Sequence, residues 1–378
     1  MKRYIYADNA ATTKLDIDAF EAMKPYLLEE YGNASQPYSF ARNPKKALIE
    51  AKGIIAKCIN ASPDEIFITS GGTESDNWAI KGGLQYNSDR RVTITSCIEH
   101  HAILNACKKI EQLGYPVIYL PVTNEGIVSV DALKAMITSE THLVSIMFAN
   151  NEIGTIEPIK ELASIAHDNG VLFHTDAVQA LGHVKIDVKD LGVDMLSASA
   201  HKFNGPKGIG FLYIRQGVLL QPLIDGGSQE HGRRAGTENI PSIVAMAVAL
   251  QNNCLALEEN QYRIRRLEER LIAKLQLQGI DFVRNGSSSR IPGNISLSFK
   301  GADGETILHR MDLLGIEIST GSACDSVNSQ VSHVIRAIGL DDDYAKGTIR
   351  ISISKDNSES DVDTIVSALA RILKEKSW

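Results

Sequence analysis

The sequence predicts an α/β protein: a mostly parallel sheet of seven strands covered by helices, followed by a smaller α+β body. Three observations carry this. Short apolar, β-rich runs alternate with helical stretches as far as residue 214. Those runs are apolar at nearly every position, as strands buried on both faces by crossover helices must be. The length, 378 residues, favours two domains at roughly 150 residues each, with enough chain for a large core that needs no disulfide or metal staple.

The seven runs are 65–69 (EIFIT), 91–95 (RVTIT), 116–120 (PVIYL), 143–148 (LVSIMF), 171–175 (VLFHT), 195–199 (MLSAS) and 210–214 (GFLYI). Segment 158–169 reads as a helix, because Ile159, Leu162, Ala163 and Ala166 recur at i, i+3, i+4, i+7 and Asn169-Gly170 stops it. From Pro241 one long helix is expected through Val244, Ala247, Val248 and Leu255 into the charged stretch 262–277. There Arg263, Arg265 and Arg266 interleave with Glu258, Glu259, Glu268 and Glu269. That mixture describes a solvated face with i,i+4 pairs better than a basic binding patch. Beyond Gly279, strands at 294–299 and 347–354, a helix at 304–314 and a terminal helix from Ser360 make the smaller body. The boundary falls inside the long helix, giving a large domain of 14–257 and a small domain of 1–13 plus 258–378.

Composition narrows the class. Lys+Arg 39 against Asp+Glu 46 gives a net charge of −7, with 43% hydrophobic and 22% charged residues. This ordinary globular mix argues against disorder, a collagen-like repeat or a dedicated nucleic-acid binder, and no direct contact with nucleic acid is expected. The five cysteines are scattered with no C-x-x-C pair, which suits a reducing cytosol and thiols that are buried or singly reactive. The start, MKRYIYADNAATTKLD, lacks the apolar core of a signal peptide. No apolar run approaches a membrane span of about 18 residues, and the end, KEKSW, holds no anchor motif. A cytoplasmic protein is expected.

Several strand ends carry chemistry. Lys202, in Ser199-Ala200-His201-Lys202-Phe203-Asn204-Gly205, lies just past a buried strand, where open α/β sheets place ligands. A partly desolvated lysine forms a Schiff base with an aldehyde cofactor; a surface lysine in a turn is the plainer alternative. Asp176, in His174-Thr175-Asp176-Ala177-Val178-Gln179, follows another strand. It suits either a helix N-cap or the partner of a pyridoxal-phosphate ring nitrogen, with Gln179 near the phenolic oxygen. Ser70-Gly71-Gly72-Thr73-Glu74 is a strand-to-helix turn whose backbone can approach a phosphate. It lacks the G-K-[ST] of a nucleotide loop, so one phosphate ester fits it better than a triphosphate. Glu99-His100-His101 with Cys97 invites zinc, yet adjacent histidines point apart and no spaced partner pair appears, so no metal site is expected. A His ring stacked on a planar ligand is the other functional reading. Asn150-Asn151-Glu152-Ile153-Gly154 sets amides after a strand, for a ring oxygen or simply for a turn. Cys324 lies in a polar, small-residue stretch, 319–330, where a thiol can reach a site and react; Cys58, Cys97, Cys107 and Cys254 are assigned to burial.

Together these segments resemble the cysteine desulfurases of the NifS/IscS type, within the class V aminotransferase group and the aspartate-aminotransferase fold. The resemblance runs nearly end to end: Tyr6 to Thr13, Thr69 to Asn77, Glu99-His100, Asn150 to Gly154, Asp176 to Gln179, Ser199 to Lys202, Gly236 to Asn239 and Gly321 to Cys324. It implies a pyridoxal 5'-phosphate enzyme that converts L-cysteine to L-alanine. Lys202 is implied as the lysine bonded to the cofactor, His100 as the stacked ring that also helps move a proton, Asp176 as the ring-nitrogen partner and Gln179 as donor to the phenolic oxygen. Gly72, Thr73, Ser199 and His201 are implied as phosphate contacts, with Thr237 reaching the phosphate of the other subunit of a homodimer. Arg350 is implied to fork onto the substrate carboxylate, with Asn33 and Asn151 in the same pocket and Cys324 as the persulfide-forming nucleophile. The polar stretch before Ser332-His333-Val334-Ile335-Arg336 matches the long-loop branch of the family.

Two positions depart from the pattern: Tyr38 stands where the family usually has His, and His231 where it usually has Arg. They bear on loop geometry and the acceptor surface. The implied acceptor is a protein, in iron–sulfur cluster assembly, tRNA thiolation or DNA phosphorothioation. Alternatives are another class V aminotransferase or a selenocysteine lyase, neither needing Cys324, and a non-catalytic sulfur-transfer platform.

Overall fold

The computed structural model describes residues 4–84, 90–321 and 331–375. The first short strand, β1 (Ile5–Tyr6), pairs in parallel with β11 (Ile316–Glu317), far along the chain. The main sheet holds β2 (Ile66–Thr69), β3 (Val92–Ser96), β4 (Val117–Leu120), β5 (Thr141–Ser145), β6 (Leu172–Asp176), β7 (Met195–Ser199) and β8 (Gly210–Ile214). Its order is β2-β8-β7-β6-β5-β3-β4. Only β8 runs antiparallel to its neighbours, so the expected seven-stranded, mostly parallel sheet is present.

Successive side chains of a strand face opposite sides. Ile66, Val144 and Phe211 therefore enter one core while Phe67, Leu143 and Leu212 enter another on the far side of the sheet. Both faces are covered, which is why the strands are apolar throughout. β4, at the sheet edge, is largely half-buried. A second sheet, antiparallel in the order β12-β13-β10-β9, is built from β9 (Phe282–Arg284), β10 (Asn294–Phe299), β12 (Ser319–Thr320) and β13 (Thr348–Ser352). Its core joins Ile295, Leu297 and Ile349 to Ile5 and Ala7 from the start of the chain and to Leu369 of the terminal helix Glu359–Glu375.

Three expectations are corrected. The single long helix is two, Ile240–Leu255 and Leu257–Leu277, meeting at 70°. The first packs Ile243, Met246 and Leu250 into the main core; the second packs Leu267, Leu271 and Leu275 into the smaller one. The apolar period continues through the break, so periodicity alone could not reveal it. The run 143–148 leaves the ladder after Ser145: Ile146 and Phe148 still donate to His174 and Asp176 carbonyls, but the chain then turns at Asn150. The charged helix face pairs with other elements instead of along itself. Arg270 and Lys274 meet Asp363 of the terminal helix at 2.8 and 2.7 Å, and Glu268 is buried against Arg284 and the Gly293 N–H.

Candidate active site

The carboxyl ends of β2, β3, β5, β6 and β7 open onto one cavity of about 410 Å³, closed from the other side by Ser319, Thr320, Gly321, His333 and Arg350. This is where parallel strands, with their following turns, leave a crevice. Of the residues singled out from sequence, Gly72, Thr73, His100, Asn151, Asp176, Gln179, Ser199, His201, Lys202 and Arg350 all line it. Asn33 and Thr237 do not. Asn33 accepts the Ser35 N–H, and Thr237 is exposed. Cys324 lies outside the described residues; Gly321, which precedes that stretch, is on the cavity wall.

The turn after β2 requires its glycines. Gly71 has φ +148°, and a Cβ on Gly72 would stand 2.6 Å from Cγ2 of Val178. The turn opens the helix Gly72–Gly82, whose first N–H groups suit an anion, and shares an adjoining hollow with Ser199, His201 and Lys207. After β3, His100 caps the helix His101–Gln112: its Nδ1 accepts the Ala102 N–H at 3.1 Å, which puts the ring proton on Nε2. Burial, then the charges of Lys202, His101 and His333, push the His100 ring down to about 4, so it is neutral at physiological pH.

Asp176 ends β6. Its Oδ1 accepts the Val178 N–H at 2.9 Å, and burial lifts the acid to about 6 against the pull of that N–H and of Lys202. Gln179 is buried, and its Oε1 has no hydrogen-bond partner among the described residues. Lys202 stands on a short 3-10 turn after β7, its backbone carbonyl 2.8 Å from Nε2 of His183. Its Nζ donates to the carbonyls of Ala10, at 2.5 Å, and Ala11, at 3.0 Å. His201 meets the Thr12 hydroxyl at 3.1 Å, and burial first, then Lys202 and Lys207, lower its ring to about 4. Arg350, mid-strand in β13 and buried, donates through Nη1 to the Asn151 carbonyl at 3.0 Å and through Nη2 to Asp8 at 2.8 Å.

Several neighbours of this site were not singled out from sequence. Asp76 is one helical turn after Gly72, on the same face, fully buried and on the cavity wall. Burial, with Asp176 adding its charge, pushes its carboxyl well above the usual carboxylate range. His174, held by the Ser145 and Ser197 hydroxyls at 2.8 and 2.9 Å, lies 3.9 Å from Asp76 and is pushed by burial to about 3. Glu99 accepts the Ser96 hydroxyl and the Met147 N–H, and burial lifts it to about 8. A charged residue in phase with the apolar face of a helix is the signal that could have flagged Asp76. The assignment of four cysteines to burial holds in full only for Cys107; Cys58, Cys97 and Cys254 are half-buried, because each sits at a helix end or loop beside the core.

The donor set suits a flat, anionic, aldehyde-bearing ring. An amine, a buried carboxylate, a buried amide, a neutral imidazole and a glycine-lined helix start face one space. The family model for class-V aminotransferases matches residues 5–365. A curated relative, cysteine desulfurase IscS of Dictyoglomus turgidum, is 47% identical over 99% of this chain and 96% of its own length. Among solved structures, a NifS-like protein superposes with a TM-score of 0.92 at 36% identity, over 99% of this chain and 100% of that one. SspA in complex with cysteine superposes with a TM-score of 0.82 at 34% identity, over 93% and 99%.

Proposed function

Because this chain belongs to the class-V aminotransferase family and is a cysteine desulfurase of the IscS/NifS kind, we propose that the cavity below the strand ends is where it takes sulfur from L-cysteine. The observation that carries this is convergence: Lys202, Asp176, His100 and Arg350 face one space that Gly321 borders. The family implies a pyridoxal-phosphate-dependent fold. Lys202 would hold the cofactor's aldehyde carbon, Asp176 its ring nitrogen, Gln179 its phenolic oxygen and His100 its ring face. Gly72, Thr73, Ser199 and His201 would hold its phosphate, with Thr237 supplied by the second subunit of a homodimer. When bound, pyridoxal 5'-phosphate supplies an electron sink that makes the bonds at the substrate α-carbon labile.

The protein's own part follows from its groups. Arg350 forks onto the substrate carboxylate, a bidentate role its geometry suits, with Asn151 near it. Lys202 takes the α-proton and His100, neutral through its lowered pKa, assists the transfer. Cys324 attacks the substrate sulfur as thiolate. The new S–S bond leaves a persulfide on Cys324, the carbon–sulfur bond breaks, and its electron pair ends with a proton in the methyl group of L-alanine. No outside oxidant is needed.

The persulfide then passes to a protein acceptor of iron–sulfur assembly, tRNA thiolation or DNA phosphorothioation. Among the described residues no single helix is long and apolar enough to cross a membrane; a cytoplasmic site of action is part of this proposal. So is the division into a domain of 14–257 and one of 1–13 plus 258–378, supported by the two separate cores. The test is incubation of cofactor-loaded protein with L-cysteine. Equal alanine and protein-bound persulfide are expected, and both are lost in Cys324→Ser. A cofactor-loaded protein that yields no alanine overturns the reading, while alanine formation that survives Cys324→Ser points to a lyase.

A further inference from the structure

Arg350 sits in the middle of β13, between β10 and β12, and is 6% exposed. A guanidinium so placed needs a counter-ion at all times, because an uncompensated buried charge is strongly destabilising. Asp8 supplies it, with Oδ1 2.8 Å from Nη2; the Asn151 carbonyl takes Nη1, and Nε has no partner among the described residues. Asp8 lines the same cavity, and its side chain is 18% exposed, so a ligand can reach the pair.

The backbone carrying Asp8 is fastened to β13: the Asn9 N–H donates to the Ser352 carbonyl at 3.3 Å and the Ala10 N–H to the Ser352 hydroxyl at 2.9 Å. Release of Arg350 therefore needs only a side-chain rotation of Asp8. The next residues, Ala10 and Ala11, hold Lys202 through their carbonyls. One N-terminal strap thus engages both the cation that would receive a substrate carboxylate and the lysine of the site.

We infer that Asp8 is a specificity-determining residue, an internal carboxylate that occupies Arg350 until the carboxylate of an amino acid displaces it. The inference rests on the reading of Arg350 as the carboxylate site. Two carboxylates around one buried guanidinium repel, so binding is an exchange that conserves charge. An amine without a carboxylate cannot make that exchange and leaves the Asp8–Arg350 pair closed.

The experiment uses cofactor-loaded protein and compares wild type with Asp8→Asn, Asp8→Glu and Arg350→Gln. L-Alanine and L-alaninamide binding are read by calorimetric titration, and KM and kcat with L-cysteine. Asp8→Asn is expected to tighten L-alanine and lower KM by about two- to fivefold, the range for a partly exposed ion pair. It should leave L-alaninamide unchanged, and Asp8→Glu should restore the wild-type values. L-Alanine affinity that is unchanged or weaker in folded Asp8→Asn overturns the inference. Asp8→Ser, with the same expectation, replaces Asp8→Asn should the latter melt below the assay temperature. Arg350→Gln separates the two ideas. If it weakens L-alanine while Asp8→Asn does not tighten it, only the exchange is wrong; if it leaves L-alanine unchanged, the reading of Arg350 falls and the exchange with it.

Discussion

The ammonium of Lys202 lies 2.5 Å from the carbonyl oxygen of Ala10, so a lysine at the end of β7 is held by the first turn of the chain, 192 residues earlier. Together with the Ala11 carbonyl at 3.0 Å, the contact keeps the amine on the cavity wall. Lys202→Ala is expected to lower alanine formation by at least about a hundredfold, the low end of proton-transfer catalysis. Borohydride reduction of the wild type should place a pyridoxyl group on the peptide carrying Lys202 and on no other. A label elsewhere, or full activity in the variant, refutes this role.

Asp176 is ionised against its burial, which lifts it to about 6. An acid raised in the folded state contributes stability that is present below its ordinary value of 3.8 and is lost as pH rises through 6. In cofactor-free protein at pH 8, Asp176→Asn is therefore expected to melt at or above the wild-type temperature. The same variant should lose desulfurase activity, since an amide cannot hold a protonated ring nitrogen. A variant that is both less stable without cofactor and fully active contradicts the assignment.

Glu99 carries the same sign over a wider window. Its ordinary value of 4.5 rises to about 8 through burial, so stability falls as pH climbs from 4.5 to 8. The slope is at most about 1.4 kcal/mol per pH unit for one proton. Glu99→Gln keeps the acceptor for Ser96 and Met147 but cannot ionise. Its melting temperature relative to wild type should rise steadily from pH 5 to pH 8, and a difference independent of pH counts against this.

Gly72 and Val178 are a steric pair across the cavity floor. Gly72→Ala brings a methyl group to 2.6 Å from Cγ2 of Val178. Overpacking of this kind costs about 1–3 kcal/mol. The variant is expected to melt lower and to retain less cofactor through purification, and Gly72→Ala/Val178→Ala should recover both. No recovery in the double variant would place the damage in the backbone turn instead.

What could be read in the sequence was whatever depends on local order. Buried strands announce themselves as apolar runs, and all seven of the main sheet were found within a few residues of their ends. The residues that follow them, Gly72, His100, Asp176, Ser199 and Lys202, were legible because a strand's carboxyl end is a fixed place in such a sheet. The family resemblance added Arg350, which no local pattern marks. Tertiary structure alone decided the rest. The 70° break at Ala256 is set by two cores pulling on one apolar period. The partnership of Asp8 with Arg350 spans 342 residues, and the Asp76 carboxyl is pushed up only because folding buries it beside Asp176. Sequence orders residues along a chain; which charges must share one dry space is settled only when distant segments meet.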